Sequence, residues 1–66
     1  MTLEAIIKEA MRLAVDQTGK WTLDEEVDLG RALNSLVCLM ATRHKFQVVA
    51  GCNDVDTRVI WVSRSA

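Results

Sequence analysis

A chain of 66 residues, half of them hydrophobic, 26% charged and with a net charge of -1, makes one small domain. Folding at that length hides only about 60% of the surface the unfolded chain exposes. This composition lies far from that of disordered chains, and the near-neutral balance lacks the strong basic field usual in nucleic-acid binders. No apolar run approaches the roughly 18 residues needed to cross a bilayer.

The first element expected is a helix from Thr2 to Thr18. Leu3, Ile6, Ile7, Ala10, Met11, Ala14 and Val15 recur at helical spacing. Thr2 is placed to cap its start and Gly19 to stop it. Glu4 and Glu9 fall where a secretory signal would be basic and then purely apolar, so an unexported protein is expected.

A second helix is expected from Thr22 to His44. Thr22-Leu23-Asp24-Glu25 reads as a capping box, with Trp21 in the hydrophobic position just before the helix start. Asp24, Glu25, Glu26 and Asp28 match the positive end of the helix dipole, and Arg43, His44 and Lys45 match the negative end. Leu23, Val27, Gly30, Leu33, Val37 and Met40 form one stripe, flanked by Leu29, Leu36 and Leu39. Gly30 costs about 1 kcal/mol inside a helix and is expected to mark a close contact or a break. Cys38, in the same apolar stretch, reads as a buried free thiol.

After Lys45 the period changes. Phe46 to Gly51 and Thr57 to Ser63 are rich in β-branched residues, and Gly51-Cys52-Asn53-Asp54 supplies turn chemistry. The expected element is a β-hairpin with a loop of roughly five residues. The predicted fold is therefore α+β, two helices followed by a C-terminal antiparallel hairpin (ααββ), with residues 1 to 66 as a single domain. Alternation puts Val59 and Trp61 on one face and Ile60 and Val62 on the other. A two-stranded sheet leaves both its edges and one face uncovered, so completion by dimerisation around a two-fold axis is expected.

Chemistry-bearing residues are few. Cys52, His44, Asp54 and Asp56 are the only catalytic ingredients that could meet, and the turn and the helix end explain them without catalysis. Cys38, His44, Cys52 and Asp54 lack the tight pair spacing of zinc sites. Gly19, Gly30 and Gly51 are isolated, without the spacing of a phosphate loop. No enzyme, metal or cofactor is expected, and two cysteines are too few for a disulfide scaffold, which places the chain in a reducing cytoplasm.

Two functions compete. The first is a protein-interaction module, an inhibitor or adaptor acting as a homodimer on a protein target. Its interface is expected at Val49, Ile60, Trp61 and Val62, since Trp is enriched in interface hot spots. On this reading Ile60→Lys or Val62→Lys leaves the chain helical but monomeric and unable to capture its target. Small accessory proteins of phages and mobile elements offer an analogy.

The second is a DNA-binding regulator. A break at Gly30 or at Asn34-Ser35 would give helix, helix, helix and then two strands, which resembles a winged helix-turn-helix domain with Gly51 to Asp56 as the wing tip. That resemblance implies phosphate contacts from Arg43, Lys45, Arg58 and Arg64. It departs from the pattern in its would-be recognition helix, SLVCLMATR, where Ser35, Thr42 and Arg43 are the base-reading candidates. Asp54 and Asp56 at the tip would repel the DNA backbone.

Overall fold

The computed structural model describes all residues from Met1 to Ala66. The elements run α1 (Leu3–Ala10), β1 (Thr18–Thr22), α2 (Leu29–Thr42), β2 (Val48–Gly51) and β3 (Val59–Arg64). The strands form one three-stranded antiparallel sheet in the order β1-β3-β2. The fold is α+β, but the order α-β-α-β-β overturns the predicted ααββ. A strand from the region assigned to helices pairs with β3 and so closes one of the two edges the hairpin was expected to leave open.

α1 begins as expected, with the Thr2 hydroxyl accepting from the Ala5 N–H at 3.1 Å. It then ends at Ala10 instead of continuing to Thr18. Beyond its cap, the Ala14 N–H donates to Gln17 Oε1 at 2.9 Å, and Asp16 takes a left-handed conformation with φ 68°. Leu13 turns into the core while Ala14 and Val15 are exposed. The apolar stripe that looked helical was two different structures in succession.

β1 reads Thr-Gly-Lys-Trp-Thr, and its exposure alternates with period two: Thr18, Lys20 and Thr22 are exposed, Gly19 and Trp21 are half-buried. Thr22 is therefore a strand residue opposite Val59 and not a helix cap. The true N-cap of α2 is Asp28, whose carboxylate accepts from the Arg31 N–H at 3.1 Å. Asp24 instead receives the N-terminal ammonium at 2.8 Å. Local signals for a cap at Thr22 lose to the pairing of Trp21 with Ile60 and to the Leu23 N–H donating to Arg58 O at 2.8 Å.

Residues 23 to 28 form turns held from across the sheet. Arg58 Nη2 donates to the carbonyls of Asp24, at 2.8 Å, and of Val27, and its Nε reaches Leu23 O at 3.4 Å. At the other end of β3, Arg64 Nη1 donates to Leu13 O at 2.8 Å and its guanidinium lies 4.0 Å from the centre of the Phe46 ring. Each arginine pins one of the loops flanking β1.

The core is Ile6 and Ala10 of α1, Leu13, Leu23, Ala32, Leu36 and Met40 of α2, Val48, Ile60 and Val62. Ala32, Leu36 and Met40 recur every four residues, so they share one helix face. Both helices thus pack on the sheet face that carries Ile60 and Val62. Gly30 is the second residue of α2 and not an interior position of a helix from Thr22; it is exposed, with only the Asp28 carboxylate near the place of a Cβ. Cys38 is exposed rather than buried. The close contact expected at Gly30 and the burial expected at Cys38 are absent because the helix turns both residues to its solvent side. No helix is long and apolar enough to cross a membrane.

Candidate functional site

The sheet has one face under the helices and one face open. Register assigns the sides: Ile60, Val62, Trp21, Gly19, Val48 and Ala50 point to the helices, while Val59, Trp61, Ser63, Thr18, Lys20, Thr22, Val49 and Gly51 point away. Trp61 lies at the middle of this outer face, opposite Lys20 on one side and Gly51 on the other.

Two contacts fix the Trp61 ring. Its Nε1–H donates to Asn53 Oδ1 at 3.2 Å, and the ring lies over Gly51, where a Cβ would come within 2.8 Å of Trp61 Cζ2. Only a glycine lets the indole lie flat across β2. Val59 and Trp61 are half-buried, and Val49 is 56% exposed. The Thr18 hydroxyl donates to Ser63 Oγ at 3.0 Å and forms a polar border. The result is an aromatic ring seated on the sheet with β-branched neighbours and one ammonium group beside it, and tryptophan is a residue type enriched where interfaces concentrate their binding energy.

The four residues expected at the interface divide. Val49 and Trp61 lie on the open face, whereas Ile60 and Val62 are fully buried under the helices. Ile60 and Val62 are therefore core residues, and the expectation that a lysine there would leave the fold intact is corrected. The sequence alternation separated the two faces properly but could not say which of them the helices would take. Val59, Lys20 and Thr18 were missed as parts of the open face. Lys20 and Thr18 fall where the sequence pattern predicts the end of one helix and the approach to the next.

The four candidate DNA contacts do not form one surface. Arg58 and Arg64 sit at opposite ends of β3, about 20 Å apart by the rise of a strand, and each spends its guanidinium on backbone carbonyls of its own chain. Arg43 and Lys45 remain, at the C-terminal end of α2. The expected helix-turn-helix is also missing, since α2 is a single helix preceded by turns. Its solvent side carries Arg31, Asn34, Cys38 and Thr42, of which Thr42 already bonds Cys38 O at 2.8 Å.

Cys52 donates to Asp54 O at 3.2 Å, and Asp54 in turn accepts from the Asp56 N–H at 3.0 Å and the Thr57 hydroxyl at 2.9 Å. These bonds build the hairpin loop. No cluster of three His, Cys, Asp or Glu side chains is arranged to hold a metal ion, and the surface carries no pocket. Comparison with protein-family models, with curated proteins and with solved structures finds no match for this chain.

Proposed function

We propose that this chain is a non-enzymatic protein-interaction module that acts as an inhibitor or adaptor by holding another protein against the open face of its sheet. The observation that carries this reading is Trp61: a large aromatic held in one orientation by Asn53 and Gly51, on the sheet face the helices leave uncovered. A ring already immobilised loses little rotamer freedom when a partner covers it, which favours binding. The exposed Val49 and the half-buried Val59 extend the apolar contact, and Lys20 offers a charge to an acidic residue of the partner. Both cysteines are free, which fits a reducing cytoplasmic setting.

Binding to DNA is the weaker reading. The acidic group Asp24, Glu25, Glu26 and Asp28 precedes α2, and Asp54 and Asp56 lie in the hairpin loop, so both parts that would approach a phosphate backbone carry negative charge. The test is affinity capture from a bacterial lysate, with and without nuclease, for the natural chain and for Trp61→Ala. A stoichiometric protein partner that survives nuclease and is lost with Trp61→Ala supports the module. Recovery of nucleic acid, or of proteins that vanish after nuclease, overturns it.

A further inference from the structure

The two edges of the sheet differ. In antiparallel strands alternate residues turn their backbone N–H and C=O toward the neighbour and away from it. Ser65 N–H donates to Gln47 O at 2.8 Å, so Val49 and Gly51 bond β3 while Val48 and Ala50 turn their backbone groups outward. On β1 the same count, fixed by Arg64 N–H on Gln17 O and Leu23 N–H on Arg58 O, leaves Thr18, Lys20 and Thr22 outward.

The β1 edge is obstructed. The Met1 ammonium donates to Thr22 O at 2.8 Å, the Asp24 N–H donates to Met1 O at 2.9 Å, and Lys20 stands in the middle of the strand. Lysine on an edge is a common guard against pairing. The β2 edge has no guard. It reads Val-Val-Ala-Gly, without charge, proline or bulge, and no hydrogen bond is made to the outward groups of Val48 and Ala50.

We propose that the β2 edge is a self-association site whose occupant is β2 of a second copy, antiparallel across a two-fold axis. The register is self-complementary. Val48 would exchange both backbone bonds with the partner's Ala50 and Ala50 with the partner's Val48, which sets Val49 on the axis facing the partner's Val49. That residue is the 56%-exposed valine of the outer face, and a β-branched pair at the closely spaced position is a favourable cross-strand contact. Gln47 would meet the partner's Gly51, and Phe46 the partner's Cys52, so no like charges oppose one another. At the β1 edge the same operation would bring Lys20 close to its own copy. The paired chains share one continuous sheet and their Trp61 faces lie on the same side. The inference goes beyond target capture and does not depend on it.

The test is sedimentation equilibrium of the full chain in reducing buffer from micromolar to millimolar concentration, combined with amide exchange. The expected result is a mass that doubles with concentration, with the Val48 and Ala50 amides slowing in parallel and those of Thr18 and Lys20 unchanged. Val49→Lys, at an exposed position, should retain the helical spectrum and remain monomeric, because it places two ammonium groups at the axis. Trp61→Ala should still associate, which separates this result from loss of target capture. A monomer at every concentration, association that survives Val49→Lys, or protection at Thr18 and Lys20 instead overturns the proposal.

Discussion

Trp21 and Trp61 sit on opposite faces of the same sheet, each lying across a glycine: Trp21 over Gly19 of its own strand, Trp61 over Gly51 of the neighbouring one. The local device is the same, an aromatic ring covering the bare backbone of an edge strand. The surroundings are not. Trp21 packs against Ile60 and the rest of the core, while Trp61 meets only its strand neighbours and Asn53. Both rings are half-buried, so what separates them is the face they lie on: Trp21 is packed against the core under the helices, and Trp61 lies on the side the helices leave open.

That contrast is broken most strongly by a charge. Val62→Lys puts an unpaired ammonium into the fully buried face, a cost of several kcal/mol. In a chain this short the core supplies only about 3–5 kcal/mol in total. The expected outcome is loss of the far-UV circular dichroism of the folded state, whereas Val49→Lys one strand away on the open face changes stability by less than about 0.5 kcal/mol.

A smaller effect is expected at the loop arginine. Arg58→Ala removes the donors that hold Leu23, Asp24 and Val27, and charge-assisted bonds of this kind are worth about 1.5–3 kcal/mol. Urea unfolding should show a loss of about 2 kcal/mol, together with faster amide exchange around Asp24 to Val27.

The two glycines sharpen the comparison further. Gly19→Ala and Gly51→Ala each push a methyl group into an indole ring, and overpacking of this sort costs about 1–3 kcal/mol. The larger loss is expected at Gly19, because the Trp21 ring is backed by the core, whereas the Trp61 ring has no core behind it and yields once the added methyl displaces it from Gly51. Tryptophan fluorescence should shift to the red for Gly51→Ala and chemical denaturation should be the more sensitive readout for Gly19→Ala.

The smallest change concerns a residue away from both faces. Lys45 has φ 62° and lets the Phe46 N–H turn back to Met40 O at 2.8 Å at the end of α2. Left-handed backbone costs a non-glycine residue about 1 kcal/mol or more, and glycine returns part of that as chain entropy. Lys45→Gly should therefore raise the unfolding free energy by up to about 1 kcal/mol in urea titration.

Much of the chain was legible before its structure. Thr2 was recognised as a helix cap, the alternation from Val59 to Val62 as a strand with two distinct faces, and the residues after Gly51 as a loop. These rest on local chemistry: a hydroxyl that satisfies a free N–H, a side-chain period of two, and turn-forming residues in a row. Asp28 as the cap of α2 was hidden by the stronger-looking Thr22-Glu25 pattern. β1 was hidden because Thr-Gly-Lys-Trp-Thr is short and its covered side holds only a glycine and a tryptophan.

The sequence by itself determined the α+β class and the presence of a face-divided strand near the C-terminus. Tertiary structure alone decided where β1 begins, that it pairs with β3, and that Ile60 and Val62 face the helices while Val49 and Trp61 stay open. The reason is physical. Period and propensity act within a few residues, but which side of a sheet is covered depends on strand pairs 37 to 45 residues apart, such as Thr18 with Ser63 and Thr22 with Val59, and local patterns carry no information about partners at that range.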